Sequence, residues 1–134
     1  QAMAELEGVL DAFHGSAVEA LEEVLRFLAE RASRHAAVVR LVVRETAAHP
    51  VAVSDTADAG RDLTDVFAGI IRRGQRAGEL RRGVHPVVAG AVLASAYLAI
   101  AGEWARRGGD SPALATLTRQ ALDVILRGIV RTPR

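Results

Sequence analysis

Apolar residues recur at helical spacing along most of the chain, and the stripes are interrupted at glycine, proline and capping residues. Residues 2–13 set Leu6, Val9, Leu10 and Phe13 against Glu5, Glu7 and Asp11, the alternation by threes and fours of an amphipathic helix. Gly15 ends that run. Ser16 followed by Glu19 has the form of a capping box, in which each side chain satisfies an orphan backbone N–H of a new helix, so a second helix is expected from about Ala17. Its stripe is Val18, Leu21, Leu25, Leu28 and Ala32, flanked by Val24 and Phe27 and opposed by Glu19, Glu22, Glu23, Arg26 and Glu30. The same phase reaches His35, Val39, Val42 and Thr46. We read a soft break near Ser33 and a third helix over about 36–48, closed ahead of Pro50 because the residue before a proline is pushed out of the helical region.

The segment 49–60, HPVAVSDTADAG, is the least regular stretch and is expected to form a loop leading into a fourth helix. There Leu63, Val66, Phe67, Ile70, Ile71 and Gly74 share a face, with Asp62, Asp65, Arg72, Arg73 and Arg76 outside it and Gly78 as the stop. Pro86 suits the first position of a fifth helix that reaches about Arg107 before Gly108 and Gly109. Asp110 or Ser111 should then cap a sixth helix, with Pro112 at its first position. In this last helix Thr116, Gln120, Asp123 and Arg127 make one narrow polar strip, and apolar residues occupy the rest.

The predicted fold is therefore all-α, a six-helix antiparallel bundle forming one domain over residues 1–134. Helices five and six carry more apolar surface than a chain of this size can easily cover, and Ala89, Gly90, Ala94, Ala101 and Gly102 would let helices approach closely. We expect a two-fold homodimer in which the last two helices of each subunit build a four-helix interface. Ala94, Leu98, Leu117, Leu122, Ile125 and Ile129 are expected at the seam.

Composition agrees with helices and removes several chemistries. The chain has 26 alanines, 17 arginines and no lysine, and Ala, Leu, Arg and Glu are strong helix formers. Without cysteine there is no disulfide, zinc–thiolate or iron–sulfur site and no thiol nucleophile. Without lysine there is no Walker-type phosphate loop. Seventeen basic residues against sixteen acids leave a net charge of +1, with the signs interleaved, so this chain alone does not read as a nucleic-acid binder. Pro86–Gly102 is charge-free and close to the lower limit of membrane-spanning length. It is rich in Ala and Gly and poor in Leu and Ile, so we expect a helix buried on more than one side and no membrane partner. The start at Gln1, with no basic leader or small-residue cleavage site, suggests a fragment boundary or processed end, and a cytoplasmic protein.

The run Gly74, Gln75, Gly78, Glu79, Leu80 and Arg81, then a short turn and the helix start His85–Pro86, resembles the C-terminal domain of tetracycline-repressor (TetR) family transcriptional regulators. Residues 20–45, ALEEVLRFLAERASRHAAVVRLVVRE, are more loosely similar to the fifth and sixth helices of that family. His85 stands where Asp is usual and should make a poorer N-cap. The resemblance implies a dimeric, effector-binding domain of a regulator, a repressor whose small effector releases operator DNA. DNA would be read by an N-terminal helix-turn-helix domain that nothing before Ala17 can hold.

An effector pocket between helices would be mostly apolar, with a few orienting polar groups. Phe13, Phe27, Phe67, Tyr97 and Trp104 come from different elements and are the candidate lining, with each ring equally readable as core filling. Tyr97 must find a partner for its hydroxyl if it is buried. His35, on the apolar stripe, could offer a hydrogen bond to the ligand or simply stand at the helix break. No metal site or cofactor is expected. The chain shows no His-Glu-x-x-His, Glu-x-x-His pair, Gly-x-Ser-x-Gly or glycine-rich strand-to-helix turn, so an enzyme is the least favoured reading, after a ligand-free helical dimerisation module.

Overall fold

A computed structural model describes residues 2–35, 37, 41, 53–107 and 111–129. Among these the chain forms five helices and no strand: α1 (Ala2–Asp11), α2 (Ala17–Arg34), α3 (Val53–Arg76), α4 (Pro86–Arg106) and α5 (Ser111–Ile129). The expected helix over 36–48 lies outside the described residues except at 37 and 41, which are helical.

The helix ends follow capping chemistry. Ser16 Oγ accepts from the Glu19 amide at 3.1 Å and Glu19 Oε1 accepts from the Ser16 amide at 3.1 Å, the reciprocal box that starts α2. These bonds to Ser16, backbone first and then side chain, hold the Glu19 carboxyl below its usual range. At the other end His35 is the C-cap. His85, expected to cap poorly, does cap α4: its Nδ1 accepts from the Val87 amide at 3.2 Å, which places its proton, when neutral, on Nε2.

Two boundaries differ from the sequence reading. Helix α1 stops at Asp11, and residues 12 and 13 leave it through single bonds from the Ala12 and Phe13 amides to the Gly8 and Leu10 carbonyls. The expected loop over 49–60 is helical from Val53. That segment lacks an apolar repeat, yet it carries Ala57 and Ala59, and Ala is the best helix former.

The core collects one face from every helix: Leu6, Leu21, Val24, Phe67, Ile71, Leu80, Leu93 and Leu114 are all fully buried. Helix α3 packs most extensively on α4, while α5 covers α2. The α3–α4 contact is set by glycine. A Cβ at Gly90 would lie 2.6 Å from the Thr64 carbonyl oxygen and 3.0 Å from the Ala68 nitrogen, so the two backbones meet at a distance no other residue allows. Helix α4 is long and apolar enough to cross a membrane by length and composition, but here Ala89, Gly90, Leu93, Ala94, Tyr97, Ala101, Trp104 and Ala105 are buried against the other helices.

Candidate functional site

The Gly74–Arg81 run is a clasp between helices. Gly78 has φ +78°, the left-handed conformation that glycine adopts without strain, and it turns the chain back so that the Glu79 and Leu80 amides both donate to the Gly74 carbonyl. The Gln75 amide donates to the carbonyls of Arg81 at 2.8 Å and Val84 at 2.6 Å. Glu79 reaches across to the start of α2, where Oε2 accepts from the Ala17 amide at 2.7 Å, an acceptor at the positive end of a helix. Leu80 enters the core, and a Cβ on Gly74 would sit 2.7 Å from both the Ala17 Cβ and Leu80 Cδ1. Every residue of the motif from Gly74 to Leu80 that the sequence singles out has an intramolecular task.

The rings are likewise occupied. Phe67, Trp104 and Tyr97 belong to the buried core, and Phe13 and Phe27 pack on its edge. The Tyr97 hydroxyl donates to the Leu28 carbonyl at 3.2 Å, and burial raises its pKa to about 12. His35 is exposed at the end of α2, apart from these rings. The structure therefore brings Phe67, Tyr97 and Trp104 together as packed core. Phe13 borders a cavity of about 320 Å³ between α2 and α5 with Glu22, Leu25, Thr118 and Leu122.

A larger open groove of about 560 Å³ runs between α1 and α3, within the range of small-molecule sites. Leu10, Val66 and Ile70 give it an apolar floor, and Glu7, Asp11, Asp62, Asp65, Arg73 and Arg76 rim it. Its α3 wall from Asp62 to Arg76 is about 21 Å long at 1.5 Å per residue. Gly69, also in that wall, differs from Gly90 and Gly74: a Cβ there would meet nothing within 4 Å. A glycine inside a helix costs about 1 kcal/mol relative to alanine, and no contact within the described chain requires this one. The sequence reading assigned Asp62, Asp65, Arg73 and Arg76 to a solvated face. An open Gly within the charged stripe is the one signal that could have marked the groove.

On the expected dimer seam, Ala94 and Leu122 are buried in the chain's own core and Ile125 is partly buried, while Leu98 and Leu117 are exposed; the Ile129 side chain lies outside those described. Among the described residues, the large apolar side chains left uncovered on α4 and α5 are Val87, Val88, Val92, Leu98, Leu117 and Val124, with Val124 71% exposed. Ala94 and Leu122 thus pack within the core, while Leu98 and Leu117 belong to the exposed apolar surface.

No curated protein sequence matches the chain. Among solved structures it is similar to the crystal structure of Thermus thermophilus FadR, described as a TetR-family transcriptional repressor in complex with lauroyl-CoA, with 24% identity and a TM-score of 0.75 over 99% of this chain and 68% of that one. Residues 18–101 match the family described as tetracyclin repressor-like, C-terminal domain. That match takes in α2, α3, the clasp and most of α4, and the chain belongs to the TetR C-terminal domain family.

Proposed function

We propose that this chain is the effector-sensing and dimerisation domain of a cytoplasmic TetR-family repressor, whose small, largely apolar ligand controls release of operator DNA. The observation that carries the reading is the family match over residues 18–101, and the likeness to a repressor crystallised with lauroyl-CoA supports it. DNA would be contacted through a separate N-terminal domain, with two recognition helices about 34–36 Å apart. An allosteric coupling of about 1–3 kcal/mol would suffice for a 5- to 150-fold switch.

The effector site in this reading is the α1–α3 groove. A pocket lined by Phe67, Tyr97 and Trp104 would require the packed core to part, whereas the groove is open as it stands. Self-association uses the uncovered α4–α5 face, where Val88, Val92, Leu98, Leu117 and Val124 leave the apolar surface that a second copy would cover. Calorimetric titration with lauroyl-CoA and sedimentation velocity test both parts. Micromolar binding to a dimer, with dissociation to monomers in Val88→Glu/Val124→Glu, is expected. A monomeric wild type, or no heat with lauroyl-CoA or with shorter amphiphiles, would contradict the reading.

A further inference from the structure

The α3 wall of the α1–α3 groove is electrically polarised along its length, from Asp62 and Asp65 to Arg73 and Arg76. Five arginines, Arg72, Arg73, Arg76, Arg81 and Arg82, fall within eleven residues at the end of α3 and in the following turn. All five are exposed, and none forms an ion pair with another described residue. They share one end of the molecule because the Gln75 side chain holds the Arg81 and Val84 carbonyls, folding the turn back over the last turn of α3. Arg73 and Arg76 line the groove, and Arg81 and Arg82 line a separate hollow of about 510 Å³ with Gly78 and Leu80. Glu79, next to this turn in the chain, is engaged with the Ala17 amide. Asp62 and Asp65 mark the other end of the α3 wall, and Glu7 and Asp11 of α1 line the groove opposite α3.

We propose that the groove takes a free, single-chain anionic amphiphile. Its phosphate or carboxylate head lies against Arg73 and Arg76, and its chain runs over Leu10, Val66 and Ile70 past Gly69. This rests on the effector reading above and adds the ligand's charge and orientation. Guanidinium groups suit such a head because they can donate paired hydrogen bonds to its oxygens. The missing side chain at Gly69 lets an acyl or alkyl chain lie against the helix backbone. The acidic far end opposes any anion and leaves the head one favourable place. It would also be repelled by anionic lipid headgroups, so the ligand is a dissolved molecule and not a bilayer surface.

The test is calorimetry with three ten-carbon probes below their micellar concentrations: decyl phosphate, decyl maltoside and decyltrimethylammonium. Decyl phosphate should bind at least tenfold more tightly than the maltoside, with the advantage shrinking as salt screens it. In Arg73→Glu/Arg76→Glu that preference should vanish while maltoside binding persists, and Gly69→Leu should weaken both. These positions are exposed, and circular dichroism would verify that each variant is folded. Tighter binding of the cationic probe, an unchanged phosphate preference in the double variant, or binding solely to anionic vesicles would overturn the proposal. If lauroyl-CoA binds wild type and double variant equally, the effector reading survives and this inference falls. If no amphiphile binds at all, both fall.

Discussion

The contact between α3 and α4 and the groove between α1 and α3 are built on the same helix and follow opposite rules. Towards α4, α3 presents Thr64 and Ala68, onto whose backbone Gly90 of α4 is pressed, and its Phe67 and Ile71 are buried in the core. Towards α1 it presents Asp62, Asp65, Gly69, Arg73 and Arg76, where the charges form no ion pair with another described residue and a glycine faces open space. One side is committed to holding the domain together, and the other is, in the proposed reading, the side that receives the effector. A sensing domain needs both, because a ligand can shift a conformational equilibrium only through contacts that differ between states, and those contacts need a frame.

The largest effect should come from emptying the committed side. Phe67→Ala removes a fully buried ring and should cost about 3–5 kcal/mol, read as a lowered urea midpoint. Were the ring lining a ligand cavity and not the core, the loss would be much smaller and ligand binding would fail first.

Alkaline titration sharpens the same point. The chain has one tyrosine, no lysine and no cysteine, so Tyr97 is the side chain that titrates between about pH 9 and 12. Below pH 10 both folded and unfolded chains keep the phenolic proton. Between 10 and about 12 the unfolded chain loses it and the folded chain holds it, so stability falls as pH rises through that window, by up to about 2–3 kcal/mol. Tyr97→Phe should lose about 1 kcal/mol at pH 7 with the bond to the Leu28 carbonyl and show a flat urea midpoint from pH 8.5 to 11. A wild type equally flat would mean that the hydroxyl is solvated.

The two glycines give the smallest effects and the cleanest contrast, because the same substitution should have opposite signs. Gly90→Ala drives a methyl into the backbone at Thr64 and Ala68 and should destabilise by about 1–3 kcal/mol. Gly69→Ala meets nothing and should stabilise by about 0.5–1 kcal/mol through helix propensity. Thermal unfolding of the pair would erase the distinction between the two sides of α3 if both moved the midpoint in one direction.

The committed side was the readable one. Ser16 with Glu19, Gly78 and Pro86 each carry a boundary in their own chemistry, and the stripes through Leu21 and Phe67 found the core because burial is periodic on a helix. The start of α3 at Val53 was missed because its first residues are helix formers without an apolar repeat, so periodicity had nothing to report. That Ala94 and Leu122 are buried within the chain itself was not legible, because helices apolar on several sides do not reveal which side a neighbour takes. The rings were ambiguous for a related reason: a core and an apolar pocket ask for the same residues, and Tyr97 finds its partner in the Leu28 carbonyl, 69 residues away in the chain. The groove was illegible because its charged rim looks like any solvated face until α1 is laid beside it.

The central claim is that the ligand belongs on the open side of α3. Backbone amide shifts in ¹H–¹⁵N spectra, followed as lauroyl-CoA is added, test it most directly. The account predicts the largest changes at Leu10, Val66, Gly69 and Arg73, with Tyr97 and Trp104 nearly still. Changes centred on Tyr97 and Trp104, with α1 unmoved, would contradict it.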